Sequence, residues 1–171
     1  MSQGPVHVVF MGVSGSGKST AARAVQERLG WDFAEGDDFH PAENVAKMSA
    51  GHPLTDADRM PWLGRLATWI REHDAAGRPT LMSCSALRRT YREVLRSGAD
   101  EVVFVHLTGD KGLLLERMDA REHFMPPSLL ESQLDTLEPL HPDERGLTVD
   151  VADPPEVVAD RVIAELGLAP G

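Results

Sequence analysis

Residues Gly12-Val13-Ser14-Gly15-Ser16-Gly17-Lys18-Ser19, followed by Thr20, carry the spacing G-x-x-x-x-G-K-[ST], and no other stretch constrains the fold so narrowly. The pattern describes a phosphate cradle. Gly12, Gly15 and Gly17 allow a tight turn whose backbone N–H groups point outward, at the positive end of the helix that follows. Lys18 is placed to reach the β- and γ-phosphates of a nucleotide, and the Ser19 hydroxyl is placed to ligand Mg²⁺. The nucleotide contacts are therefore assigned to Gly12, Ser14, Gly15, Ser16, Gly17, Lys18, Ser19 and Thr20. The flanks agree with this reading: Val6–Met11 is an apolar run of strand length, and Thr20–Leu29 has Ala21, Val25 and Leu29 at helical spacing before Gly30. A merely flexible Gly/Ser loop would not need that order of strand, loop and helix.

The remaining pattern alternates in the same way. Trp31–Glu35 reads as a second strand, and Gly36–Pro41 as a polar turn at its carboxyl end. A short helix from Pro41 past Met48 follows. Thr55 and Asp58 have capping-box spacing, and Pro61 is expected to begin the regular part of the next helix. On that helix Trp62, Leu66, Trp69 and Ile70 share a face, with Trp69 read as core. Thr80–Cys84 and Val102–Leu107 read as buried strands, Leu147–Val151 as the last strand, and the segment after Asp153-Pro154-Pro155 as the final helix. Helices carrying Arg88, Arg89, Arg92 and Arg96, then Leu113 to Arg121, then Ser128 to Leu137 fill the gaps. Five strands alternating with helices predict an α/β domain: a five-stranded parallel sheet of order 2-3-1-4-5 with helices on both faces. One domain spanning 1–171 is expected, with acceptor-binding helices at about 37–76 and a helical lid at about 117–137.

Charge narrows the partners. The formal net charge of −10 disfavours bulk nucleic-acid binding, so an anionic substrate needs a local basic pocket. No apolar run approaches the ~20 residues of a membrane span, and no signal-peptide pattern precedes the first strand. With a lone cysteine, Cys84, the expected location is a reducing cytoplasm, with no membrane and no nucleic-acid partner. A guanine-reading Asn-Lys-x-Asp is absent, which argues against a GTPase switch.

Several blocks in order resemble the gluconate kinases of the shikimate-kinase-like and nucleoside-monophosphate-kinase-like P-loop group. They are Gly36-Asp37-x-x-His40-Pro41-x-x-Asn44-x-x-Lys47-Met48, Gly51-x-Pro53-Leu54-x-Asp56-x-Asp58-Arg59-x-Pro61-Trp62-Leu63, Cys84-Ser85-Ala86-Leu87-Arg88-Arg89-x-Tyr91-Arg92, His123-Phe124-Met125-Pro126, Ser132-Gln133-x-x-x-Leu137-Glu138-Pro139, and the Asp153-Pro154 turn. The resemblance runs from about Val8 to Leu166. It implies ATP- and Mg²⁺-dependent phosphorylation of D-gluconate at the 6-hydroxyl by a homodimeric enzyme with a helical lid. Two positions depart from the family pattern. The lid reads Arg117-x-x-x-Arg121-Glu122-His123-Phe124, one residue short and without a glycine, and Arg88 stands where lysine is frequent.

On that basis Lys18, Asp37, Arg117 and Arg121 are the expected catalytic residues, with Asp37 orienting the acceptor hydroxyl. Asp37, His40, Asn44, Lys47, Arg59, Arg88 and Arg92 are the expected substrate ligands, and Ser19 the metal ligand. Asp153 and Pro154 are expected beside adenine. The alternatives are a shikimate or nucleoside-monophosphate kinase, and a non-catalytic nucleotide-binding module.

Overall fold

A computed structural model describes the backbone of residues 4–13, 15–119 and 128–170, and the side chains of these residues except 117–119, 128 and 129. The strands are β1 (His7–Met11), β2 (Asp32–Glu35), β3 (Thr80–Ser83), β4 (Val102–Thr108) and β5 (Gly146–Asp150). The helices are α1 (Lys18–Leu29), α2 (Ala42–Ser49), α3 (Asp56–Ala75), α4 (Arg89–Arg96), α5 (Lys111–Asp119), α6 (Ser128–Thr136) and α7 (Pro155–Leu166), and a 3-10 turn covers Gly36–Phe39. The sheet is parallel throughout, in the order β2-β3-β1-β4-β5.

The order fixes the layers. The connection from β1 to β2 runs one way along the sheet, while those from β2 to β3, β3 to β4 and β4 to β5 run the other. Right-handed crossovers therefore place α1 on the face opposite α3 and α4. The packing agrees, since α1 lies against α7 and α3 against α4. Covered on both faces, β1, β3 and most of β4 read as continuous buried runs. The direction of the connections reverses beside β1, and a crevice opens there at the carboxyl ends of the strands, where α/β sheets take ligands.

Local chemistry explains most boundaries. Gly30 and Gly167 end α1 and α7 with φ of 72° and 64°, left-handed values that favour glycine. Thr55 caps α3 through a complete capping box, in which its hydroxyl accepts from the Asp58 N–H and Asp58 accepts from the Thr55 N–H at 2.9 Å. That cap starts α3 at Asp56, five residues before the start expected at Pro61. Pro61 sits inside the helix, at its second turn, and takes one intrahelical bond away from the Ala57 carbonyl. Trp62, Leu66 and Ile70 are buried, whereas Trp69 is half-buried and packs against the core from its edge.

Candidate active site

The cradle forms at the end of β1. Gly15 and Gly17 both have φ of 82°, and Gly17 caps α1 in that left-handed conformation. At Gly12 a Cβ would lie 2.6 Å from the Leu107 carbonyl and 2.8 Å from Ser16 Oγ, so only glycine lets the loop sit this close to β4. The Lys18 ammonium donates to the Val13 carbonyl at 3.1 Å, which folds the side chain back over the loop. Ser16 Oγ is buried and, among the described residues, without a hydrogen-bond partner. A buried hydroxyl left so is a group that a bound phosphate would satisfy. Ser14 lies outside the described residues, and Thr20 is exposed on α1.

Glu35, at the carboxyl end of β2, completes this side of the site. Ser19 Oγ donates to its Oε2 at 2.5 Å, and Ser83 donates to its other oxygen. Because the Ser19 proton is committed to Glu35, the oxygen lone pairs stay available to a cation, and a carboxylate stands directly behind it. That donor set suits Mg²⁺, which is bound through few protein oxygens beside substrate phosphates. In the sequence Glu35 is the polar end of an alternating strand. The usable signal was a carboxylate at a strand's carboxyl end, two residues before Asp37.

The next residue brings the chain unusually close to β3. A Cβ at Gly36 would lie 2.1 Å from the Ser83 carbonyl. The Gly36 carbonyl accepts from Trp62 Nε1 at 2.8 Å, which fixes the buried indole of α3 under the 3-10 turn. The turn then carries Asp37 and leads to His40.

A single cavity joins these groups. Lys18, Asp37, His40 and Arg59 line it together with Met48, Pro53, Leu54, Trp62, Ser85, Leu87, Ser132 and Gln133. Four of the expected residues therefore meet at one place, drawn from the cradle, the β2 turn and α3. Its wall on the β3 side is tied to the cradle, since the Gly12 N–H donates to the Ser85 carbonyl at 3.2 Å. Ser132 and Gln133 bring α6 to the same cavity. Arg59 is held by Tyr91: Nη1 donates to the phenol oxygen at 2.6 Å, the guanidinium lies 5.1 Å from the ring centroid, and the phenol donates to Asp56 at 2.5 Å. Burial raises the Tyr91 pKa, and its hydrogen bond to Asp56 adds to this. Among the described residues, Arg59 thus meets Asp56 through a neutral phenol, and no ion pair takes up its charge beside the cavity.

Other expected ligands are placed elsewhere. Asn44 is buried behind His40, where it donates to the Asp58 carbonyl at 2.9 Å. Lys47 pairs with Asp58 at 2.5 Å; its hydrogen bond, aided by the Thr55 N–H, holds the Asp58 carboxyl at about 2. Arg88 caps α4, with its guanidinium 3.8 Å from Asp56. Arg92 corrects the sequence reading outright. Its side chain is fully buried, and its guanidinium is bidentate on Glu144. Asp153 and Pro154 form an exposed turn before α7, which Pro154 caps. The Arg117 side chain, Arg121 and the stretch His123-Phe124-Met125-Pro126 lie outside the described residues.

Residues 8–140 match the family described as an AAA domain. The chain is 50% identical over 160 residues to a gluconokinase of Gluconobacter oxydans (strain 621H), covering 93% of this chain and 90% of that protein. It belongs to the gluconokinase family. Solved structures of similar proteins agree. A gluconokinase from Sinorhizobium meliloti 1021 superimposes with a TM-score of 0.83 at 47% identity, covering 97% of this chain and 94% of that one. A sugar kinase from Janibacter sp. HTCC2649 superimposes with a TM-score of 0.93 at 53% identity, covering 97% and 96%. Membership in the gluconokinase family makes the chain a phosphotransferase with an alcohol acceptor.

Proposed function

We infer that this chain transfers the γ-phosphoryl group of ATP to the 6-hydroxyl of D-gluconate, giving 6-phosphogluconate and ADP. The observation that carries this reading is the single cavity in which the cradle lysine Lys18 meets Asp37 and Arg59. Phosphoryl transfer has a loose transition state, so alignment and charge neutralisation do most of the work. Lys18 neutralises the migrating group. Asp37 orients the acceptor hydroxyl and takes its proton as the new P–O bond forms and the bond to ADP breaks. Arg59, steadied by Tyr91, pairs with the gluconate carboxylate. His40 hydrogen-bonds a hydroxyl along the sugar-acid chain. Arg88, at the mouth of α4, is a further cation for the carboxylate.

Ser19 and Glu35 would hold Mg²⁺, which would neutralise charge on the nucleotide phosphates. Arg117 and Arg121 come from the lid, the segment of about 117–137, and add positive charge as it closes. Asp153 and Pro154 flank the adenine. A cytoplasmic homodimer acting without nucleic acid or membrane completes the proposal; no helix among the described residues is long and apolar enough to cross a membrane.

Arg59→Ala tests the pocket assignment. Losing one charge-assisted hydrogen bond costs about 1.5–3 kcal/mol, so KM for gluconate should rise roughly 10- to 150-fold while KM for ATP stays within twofold. An unchanged KM for gluconate removes Arg59 from the pocket.

A further inference from the structure

His40 is held on three sides. Its backbone is extended, with φ −67° and ψ 136°, the conformation that a following proline imposes on the residue before it. Its ring stacks on Trp62 with centroids 4.0 Å apart and planes inclined by 16°. Trp62 cannot turn away, because its Nε1 donates to the Gly36 carbonyl at 2.8 Å. The third constraint comes from Asn44, one helical turn along. Asn44 Nδ2 lies 3.2 Å from His40 Nδ1 and 2.9 Å from the Asp58 carbonyl.

That pair of contacts decides which ring nitrogen carries the proton. The Asp58 carbonyl can only accept, so the Asn44 atom facing it is the NH₂ group and not the oxygen. The same NH₂ group faces His40 Nδ1, which must therefore accept with a lone pair. The proton of a neutral imidazole then resides on Nε2. Nε2 is the nitrogen nearer Asp37, 3.9 Å from its Oδ1, beyond direct hydrogen-bond reach. A single oxygen placed between the two could accept from one and donate to the other.

We propose that Asn44 is a positioning residue that locks His40 in the Nε2–H tautomer, so that the imidazole presents one fixed donor to an acceptor-substrate hydroxyl beside Asp37. The identity of that substrate rests on the gluconate reading above. Burial, helped by the neighbouring Arg59 charge, lowers the His40 pKa to about 4, so the ring stays neutral at working pH. A protonated ring would also set an Nδ1–H against the Asn44 NH₂ group, donor against donor. Specificity follows from the arrangement. An acceptor hydroxyl both donates and accepts, and satisfies Asp37 and His40 together. A ligand group that only accepts, such as a second carboxylate, would face Asp37 across the gap and be rejected.

The test separates the lock from the substrate assignment. Histidine-labelled protein is examined by long-range ¹H–¹⁵N correlation at pH 7, with His40 identified by the signals lost in His40→Gln. The lock requires a pyridine-type Nδ1 and a pyrrole-type Nε2. In Asn44→Asp the new carboxylate can only accept, so Nδ1 should become protonated, and KM for gluconate should rise about tenfold or more with KM for ATP within twofold. A wild-type Nδ1–H, or an Asn44→Asp protein with unchanged ring-nitrogen shifts, overturns the proposal. A purely structural Asn44 would lower the melting temperature without moving those shifts. Should gluconate not be turned over by the wild-type protein, the substrate reading fails while the spectrum still answers the question about the tautomer.

Discussion

Arg92 of α4 and Glu144, fifty-two residues apart, form a fully buried two-point ion pair, with Nε 2.7 Å from Oε2 and Nη2 2.8 Å from Oε1. The pair is also a junction. Arg92 Nη1 donates at 2.9 Å to the carbonyl of Ala86, a non-glycine residue with φ of 44°, and Ser85 and Leu87 on either side line the cavity. Arg96 joins the same carboxylate from the next turn of α4. Burial works to raise the Glu144 pKa, but hydrogen bonds from Arg92 and Arg96 outweigh it and hold the carboxyl at about 2.

Removing one partner of this pair should cost stability before it costs binding. Arg92→Met strips Glu144 of its bidentate partner, and breaking a buried pair costs about 3–5 kcal/mol. Chemical denaturation followed by tryptophan fluorescence should show that loss. The double variant Arg92→Met/Glu144→Leu should recover much of it. A fully stable Arg92→Met protein with a raised KM for gluconate would instead return Arg92 to the list of substrate ligands.

Glu35 should govern the metal requirement. In Glu35→Gln the amide keeps the shape but loses the charge behind Ser19, and loss of such a supporting partner typically weakens metal sites 10- to 100-fold. The Mg²⁺ concentration for half-maximal turnover should rise by about that factor with the fold intact. Lys18→Ala should leave ATP-dependent turnover on the order of 100- to 1,000-fold lower. An unaltered Mg²⁺ requirement in Glu35→Gln would separate Glu35 from the metal.

Stability should begin to fall at a higher pH than carboxylates alone would cause. The pKa values of His7, His40 and His106 are all lowered from 6.5, in each case chiefly by burial, and His40 to about 4. Above pH 6.5 these groups are neutral in both states and contribute nothing to the pH dependence. Below 6.5 the unfolded chain binds protons that the native state refuses, so unfolding becomes easier down to the folded pKa. For His40 the window runs from pH 6.5 to about 4. The slope approaches roughly 1.4 kcal/mol per pH unit for each group well inside its window. Glu144 adds its own loss below about 4.5, as its folded pKa of about 2 is approached. Equal unfolding free energies at pH 7.5 and 5.5 would contradict the buried, neutral histidines.

The parts of this molecule legible in the sequence are those set by local pattern. The cradle announces itself in eight consecutive residues, and the apolar runs of β1, β3 and β4 separate cleanly from the helices, which makes a parallel sheet the expectation; the observed order β2-β3-β1-β4-β5 is the expected one. Lys18, Asp37, His40 and Arg59 meet in one cavity because each lies at or near the end of an element that points there. Partner choice across long separations was not legible. Arg88, Arg92 and Arg96 share a helical face in the sequence, yet a glutamate near the start of β5 draws Arg92 inward, and no pattern near either residue marks that pairing. Glu35 carries no local signal of its partners, because Ser19 and Ser83 are 16 and 48 residues away. Asn44 looked like a ligand by spacing, and only the Asp58 carbonyl reveals that its amide is already committed.

The assignment as a whole is tested most directly by ADP release from ATP·Mg²⁺, with the phosphorylated product identified, against D-gluconate, other aldonates, shikimate, glycerate and nucleoside monophosphates. Arg59 and Lys18 supply cations and Asp37 and His40 supply hydrogen-bonding groups in a cavity whose large aromatic surface, Trp62, is already covered by His40. Such a lining suits a flexible polyhydroxy acid and gives a flat nucleobase little to stack on. The expected result is rapid ADP release with D-gluconate, with 6-phosphogluconate as the product, and little or none with AMP, CMP or shikimate. A nucleoside monophosphate or shikimate as the best acceptor, or ATP binding with no sugar-acid-dependent turnover, would contradict it.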